Sequence, residues 1–249
     1  MTAASNRGAD GYDEAYFSWQ RQTAEGSAAA LLPVVIELLA PRSILDVGCG
    51  TGVWLREAMR LGVEDVLGFD FGGAGSLVIP QERFRQIDLE RPVEVPRRFD
   101  LAICMEVAEH LSPARGPALV RELAQAADAV VFSAAIPGQT PPGSPEHPNE
   151  RWQSYWAGLF GDAGYEPVDA LRPHIWDDRR IAFWYRQNAF VASGPEVAQR
   201  LSGERTIRDV VHPEMWSRVH PELWSRQISL KAHLRAMPRA AARAVIRRL

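Results

Sequence analysis

The sequence predicts an α/β fold, a mostly parallel sheet with helices on both faces, followed by a C-terminal helical extension. Three observations point there. Short apolar runs of strand length alternate with longer amphipathic segments between residues 43 and 193. The first run, S-I-L-D-V-G-C-G-T-G at 43–52, passes through an acid and then places Gly48, Gly50 and Gly52 at alternate positions. After Ser193 the alternation stops, and a tandem repeat and a basic tail follow. The expected division is a main domain over 1–193 and an extension over 194–249.

At 249 residues the chain can bury a full core, and 46% hydrophobic residues with a net charge of -3 are ordinary for a water-soluble protein. No basic excess points to nucleic acid as a partner. The first residues carry no apolar signal region and no run approaches the length of a membrane span, so the cytoplasm is the expected compartment. Cys49 falls in the glycine loop and Cys104 in a predicted strand, so both are expected to be reduced thiols and no metal site is expected from them.

The elements follow in order. Residues 12–22 are aromatic-rich and read as a helix, and 27–39 read as a second one, with Leu31, Val34, Val35, Leu38 and Leu39 at helical spacing. Ile44, Leu45 and Val47 suit a buried strand, and the glycines after it let the backbone turn sharply and approach a ligand. The helix expected over 53–61 would aim its first amides at that ligand. A dinucleotide fingerprint needs a glycine where this chain has Val53, which argues against a nicotinamide cofactor. V-L-G-F-D at 66–70 is a second apolar run ending in a carboxylate, Asp70, about 20 residues past the first glycine, where an acid can take ribose hydroxyls. F-R-Q-I-D-L at 84–89 reads as a third strand with Asp88 at its tip, and F-D-L-A-I-C-M-E at 99–106, followed by V-A-E-H-L, as a fourth strand and the start of the next helix. A helix over 113–126 and a strand over 129–133 come next. Residues 136–149 hold too much proline and glycine for regular structure and leave the ligand edge of the sheet. Residues 150–160 read as an amphipathic helix with Trp152, Tyr155, Trp156 and Leu159 on one stripe, and 168–175 and 181–192 as the last two strands.

The D-V-G-C-G-T-G string closely resembles motif I of class I S-adenosylmethionine-dependent methyltransferases, and the three later strand motifs match that family in order. The resemblance spans roughly residues 44–193. It implies a Rossmann-like, seven-stranded sheet with an antiparallel last strand, N-terminal lid helices, S-adenosylmethionine as cofactor and S-adenosylhomocysteine as product. It further implies cofactor contacts from Asp46, Gly48, Cys49, Gly50, Thr51, Asp70, Phe71, Asp88, Leu89 and Met105, with Asp88 holding the adenine amino group. The strings H-P-N-E-R-W-Q-S-Y-W and W-Y-R-Q-N resemble a bacterial subgroup met in polysaccharide and natural-product biosynthesis, which implies a sugar or other small hydroxylated metabolite as acceptor. Tyr16 in the lid segment and Trp152 and Tyr155 after the proline-rich loop are the candidate acceptor contacts, with plain packing as the competing reading.

An oxygen acceptor must lose its proton, and histidine is the usual base near neutral pH. Of the six histidines, His147 in the proline-rich loop is the first candidate and His110 after the fourth strand the second; an exposed loop side chain and a helix cap are the competing roles. His174 is expected as a structural side chain on or near a strand. Three function classes remain: an O-methyltransferase, with N- or C-methylation as its variants; a nicotinamide oxidoreductase; and a cofactor-binding interaction module without turnover.

In the extension, 212–218 and 220–226 read H-P-E-M-W-S-R and H-P-E-L-W-S-R. Each proline suits the first turn of a short helix. The His and Glu of each copy lack helical ligand spacing, so Trp216 and Trp224 are expected as docking anchors instead. Past Glu222 only basic charges occur, and such a tail could lie on an anionic membrane or bind a partner, although a solvated helix accounts for it as well. The oligomeric state is not legible.

Overall fold

The computed structural model describes residues 14–72, 76–140 and 147–219, with side chains described between residues 23 and 217. Tyr12, the second repeat copy with Trp224, and the basic tail lie outside them. Two compact units result, Met1–Val210 and Val211–Leu249.

The first unit is a seven-stranded sheet. Its strands are β1 (Ser43–Val47), β2 (Asp65–Asp70), β3 (Phe84–Gln86), β4 (Phe99–Met105), β5 (Ala127–Ser133), β6 (Glu166–Val168) and β7 (Phe190–Ser193). They lie in the order β3-β2-β1-β4-β5-β7-β6. All neighbours are parallel except β7, which runs antiparallel to both β5 and β6. Strand order reverses between β1 and β4, so their carboxyl ends open a crevice in which α/β sheets take ligands.

Side chains alternate between two cores, as the period of two requires. Ile44, Leu101, Ile103, Ala129 and Val131 face one side, against α1 (Glu14–Leu39) and α2 (Val53–Arg60). Leu45, Ala102, Cys104, Val130 and Phe132 face the other, against α3 (Gly116–Ala126) and α4 (Gln153–Asp162). Helices on both faces explain why β4 and β5 read as nearly continuous apolar runs.

Four readings of the sequence are corrected. Residues 12–22 and 27–39 do not form two helices: α1 is continuous from Glu14 and carries Pro33 inside it. The expected strand 168–175 ends at Val168, and α5 (Arg172–Ile175) follows, with His174 on a helical turn rather than a strand. The expected strand 181–192 is α6 (Phe183–Asn188) and then β7. The aromatic stripe of α4 is split, since Trp156 is buried with Gln153, Ala157 and Phe160, whereas Trp152 and Tyr155 are exposed. Among the described residues no helix is long and apolar enough to cross a membrane.

The sheet unit extends past the composition break at Gly194. A short helix, α7 (Pro195–Ala198), leads to a segment laced onto β6 and α4. Asp169 and Glu204 form a bridge, with the Asp169 amide donating to the Glu204 carbonyl at 2.8 Å. Arg172 Nη1 donates to the Arg208 carbonyl at 3.0 Å, and the amide and hydroxyl of Ser154 both reach the Asp209 carboxylate at 2.8 Å. Ile207 is buried in the core that contains Phe132.

In the second unit, α8 (Pro213–Val219) starts on the proline of the first repeat. The Glu214 amide donates to His212 Nδ1 at 3.1 Å, and the Trp216 amide to the His212 carbonyl at 3.1 Å. The H-P-E string thus works as a helix start in which histidine caps and proline takes the first turn. Trp216 is exposed.

A chain ending at Val210 should therefore melt cooperatively with the sheet intact, whereas one ending at Ser193 should not. Ile207→Ala should cost about 2–5 kcal/mol, the usual range for emptying a buried aliphatic site. Urea denaturation followed by circular dichroism reads both effects, and an unchanged midpoint for Ile207→Ala would place 201–210 outside the core.

Candidate active site

The glycine loop is built by close backbone approach. After Val47 the chain turns at Gly48, at φ 83, and the amides of Gly48 and Cys49 both donate to the Phe69 carbonyl of β2, at 2.7 and 3.1 Å. A Cβ at Gly48 would collide with the Val107 side chain, so only glycine lets this loop reach the exit of β4. Gly50, at φ 54, differs: a Cβ there would meet nothing within 4 Å, so the loop faces open space.

Asp70 ends β2 and ties this loop down. The Gly50 amide donates to its Oδ2 at 2.8 Å and the Gly72 amide to its Oδ1 at 2.9 Å. Each oxygen keeps a further lone pair for an incoming donor. Phe71 beside it is 70% exposed, while its carbonyl is fixed by Gln86 Nε2 at 2.8 Å. Thr51 is half-buried and its carbonyl accepts from the Val78 amide at 2.9 Å. Asp88 lies two residues beyond β3 and caps the following turn, accepting from the Glu90 amide at 3.0 Å. Leu89 is buried, and the buried Arg115 holds its carbonyl at 2.8 Å and that of Arg91 at 2.9 Å. Met105, also buried, closes β4.

Electrostatics set Asp46 apart. It is 1% exposed, its Oδ2 has no hydrogen-bond partner, and burial followed by the neighbouring Asp70 holds its carboxyl well above the usual carboxylate range. Burial likewise pushes the Cys49 and Cys104 thiols up, which keeps both protonated and unreactive.

The acceptor edge starts where β4 ends. Glu106 adopts φ 56, a left-handed conformation that is strained for a side chain with a Cβ, and its amide is held by the carbonyl and hydroxyl of Ser133 at 3.0 and 3.1 Å. Its carboxylate accepts from Asn188 Nδ2 at 3.0 Å and Gln139 Nε2 at 2.7 Å. One turn on, Glu109 is fully buried. Burial and then Glu106 push its carboxyl well up, although the backbone amides of Glu109 and Ala135 favour its ionised form. Neither Glu109 oxygen makes a hydrogen bond of normal length and angle. His110 on the same turn is exposed, and its ring stands edge-on to that of His147, centroids 4.5 Å apart. The link is Asn149, whose amide donates to the Glu109 carbonyl at 3.1 Å and whose side chain donates to the Ala108 carbonyl at 3.2 Å. His147 Nδ1 lies 3.4 Å from Glu150 Oε1, and Glu150 also accepts from the amides of Gly138 and Thr140 at 2.9 and 3.0 Å. The two histidines singled out in the sequence thus meet, on the same edge of the sheet as the glycine loop.

Trp152 and Tyr155 are 40% and 36% exposed and line a shallow hollow with Pro137, Glu150, Arg151 and Ser154, the Arg151 guanidinium standing 5.4 Å over the Tyr155 ring. Tyr16 lies early in α1, and its side chain is outside the described residues. Sequence reasoning missed Glu106, Glu109, Gln139, Asn149 and Asn188. The string E-V-A-E-H carried a usable signal, because its acids at spacing three and the adjacent histidine share one turn. Tyr185 was missed too; it stacks edge-on to Trp54 at 5.3 Å, and burial, then Glu106, pushes its hydroxyl up.

A family model described as "Methyltransferase domain" matches residues 19–170. Among solved structures, the sugar N-methyltransferase KedS8 from Streptoalloteichus aligns with a TM-score of 0.56 at 16% identity, covering 78% of this chain and 97% of its own. DesVI from Streptomyces venezuelae gives 0.53 at 14% identity, covering 73% and 96%. The S-adenosylmethionine-bound amino pentose methyltransferase CalS10 from Micromonospora echinaspora gives 0.52 at 16% identity, covering 73% and 97%. At these identities the likeness shows the fold. No curated protein matches the chain.

The raised carboxyl of Asp46 makes a pH prediction. An acid whose folded pKa exceeds its unfolded value contributes most below the unfolded value and loses that contribution as pH rises. Asp46→Asn removes this loss. Its stability relative to the parent should rise between about pH 4 and neutral pH, because only the parent loses stability as that carboxyl is forced to ionise. Urea denaturation at both pH values measures it, and a gap that does not change with pH counts against the assignment.

Proposed function

The chain belongs to the methyltransferase-domain family, and from that premise we propose that it is an S-adenosylmethionine-dependent enzyme that methylates a hydroxyl group of a sugar or other small metabolite. The observation that carries the reading is the grip of Asp70 on Gly50 and Gly72 beside open space at Gly50, on the ligand edge of a sheet with reversed strand order. This arrangement fits a nucleoside. Asp70 retains acceptor capacity for a ribose diol, Phe71 offers an exposed ring for the adenine face, and Asp88 has an exposed carboxylate for the adenine amino group. Gly48, Cys49, Gly50 and Thr51 supply the backbone cradle, with Leu89 and Met105 as apolar walls.

When bound, the cofactor supplies a methyl group on a positively charged sulfur. The residues of the chain have the remaining tasks of aligning the acceptor and removing its proton. His147 is the first choice for the proton and His110 the second, since the two rings adjoin on the acceptor edge. Trp152 and Tyr155 offer apolar faces with Ser154 and Arg151 as polar neighbours, a composition suited to a sugar ring. Amine methylation is the second reading. It draws on KedS8 and CalS10, whose names state a sugar N- and an amino pentose methyltransferase.

Asp70→Ala should weaken binding of S-adenosylhomocysteine by about 1–3 kcal/mol, the range for losing charge-assisted hydrogen bonds. Calorimetry on the folded variant decides, and an unchanged affinity removes Asp70 from the site. His147→Ala should lower turnover roughly 10²-fold to 10⁴-fold with cofactor affinity intact. A steady-state pH profile that keeps its acidic limb in this variant, with normal turnover, would pass the proton to His110.

A further inference from the structure

We propose that Glu109, His110 and His147 form a binding site for one divalent first-row transition-metal cation. One carboxylate oxygen and one imidazole nitrogen from each histidine lie within 4.8 Å of one another. Ligand atoms that share an ion at bond lengths of about 2.0–2.2 Å stand roughly 3–4 Å apart, so the site closes with side-chain movements of under about 1 Å. His147 sits on a loop and His110 is exposed, so both rings have room to make that adjustment.

Glu109 is the second observation. Neither oxygen of this fully buried carboxyl makes a regular hydrogen bond, and the nearest polar side chain is the like-charged Glu106, so its ionised form is costly to keep in the fold. A cation beside it supplies the missing partner and holds the ionised form in place. The surroundings fit as well. A carboxylate next to one ring nitrogen is the usual device that fixes the tautomer of a ligating histidine, and Glu150 stands in that relation to His147. Glu106, held by Asn188 and Gln139, adds negative charge beside Glu109. Asn149 bonds to the carbonyls on either side of the Glu109 turn and so sets the spacing between the two histidine-bearing segments.

The donor set selects the ion. Two imidazoles and one carboxylate suit zinc, iron or manganese better than calcium or magnesium, which take oxygen ligands throughout. Three protein ligands leave positions open for a further oxygen. The proposal keeps the methyltransferase reading, on which its functional meaning rests, and replaces its histidine base: an acceptor hydroxyl bound there would give up its proton to solvent water more readily, with both histidines as ligands.

The test uses the full-length chain, free of any histidine tag and stripped with chelator. It is titrated with Mn²⁺ under electron paramagnetic resonance and, separately, with Zn²⁺ by equilibrium dialysis. One equivalent of either ion should bind. Loss of a histidine or carboxylate ligand should weaken it by at least about 100-fold, since loss of an outer partner alone costs 10-fold to 100-fold. Glu109→Gln and the exposed-site variant His110→Ala are compared, with thermal melts as the control for folding; His110→Ala keeps the question open to measurement if the buried variant does not fold. No stoichiometric binding by the parent chain, or equal affinity in a folded variant, overturns the site. Calorimetry with S-adenosylhomocysteine runs alongside. Cation binding without nucleoside binding would sink the methyltransferase reading and leave the metal site standing, and the reverse result would sink the metal site alone.

Discussion

The approach of Gly48 to Val107 is the constraint on which the functional edge depends. It is a backbone-to-side-chain contact that a single added methyl would block. Through it the loop after β1 and the turn after β4 are spaced by the sheet itself. The sheet in turn fixes both strands by the pairing of Ile44, Leu45 and Asp46 with Leu101, Ala102 and Ile103. Sites carried on rigid elements in this way hold their geometry more closely than sites on free loops. Gly50, two residues further on, is free of that contact, so the same loop is anchored at one end and open to a ligand at the other.

Around this contact the protein holds three acids in unfavourable settings, two of them fully buried. Asp46 and Glu109 are buried with carboxyl oxygens lacking good partners, while Glu106 is satisfied by two amide side chains and strained in its backbone. None of this favours folding. Strain and unsatisfied polar groups persist where the surrounding structure overdetermines them, and they cluster where ligands bind. Here the surroundings are the apolar cores on both faces of the sheet, which hold the edge in a state that its own contacts disfavour. Burial raises the carboxyls of Glu106 and Glu109 alike, and the charge of Glu106 raises that of Glu109 further.

How much the sequence revealed varies with the range of the forces involved. β1, β2, β4 and β5 were legible because each is buried on both faces and so had to be a run of apolar residues. The glycine loop was legible because its backbone angles exclude other residue types. By contrast, 181–192 was misread because Phe183–Asn188 is too short for a helical period to emerge, and its polar residues are buried by distant partners. Arg186 Nη1 reaches the Trp176 carbonyl at 3.1 Å, and Asn188 reaches Gln139 and Glu106. Nothing local to W-Y-R-Q-N announces those contacts. The break expected between residues 22 and 27 was misread as well: α1 runs through Gly26, and the buried Leu31, Leu32 and Val35 secure the helix by packing across Pro33. At the site, His110 and His147 could be named singly, but their meeting depends on Asn149, which looked like one more polar loop residue.

The order of the strands also bears on how the chain is made. β1 lies inside the sheet beside the central strand β4, yet β4 is separated from it in sequence by α2, β2 and β3. During synthesis β1, β2 and β3 leave the ribosome first, and until Phe99–Met105 has emerged the inner side of β1 is an uncovered apolar edge. β5 then waits for β7, which arrives only after α4, β6 and α6. A chain assembled in this order passes through two stages at which a growing sheet offers an open margin to its neighbours, so slow translation through 48–98 or 134–189 is where aggregation would begin.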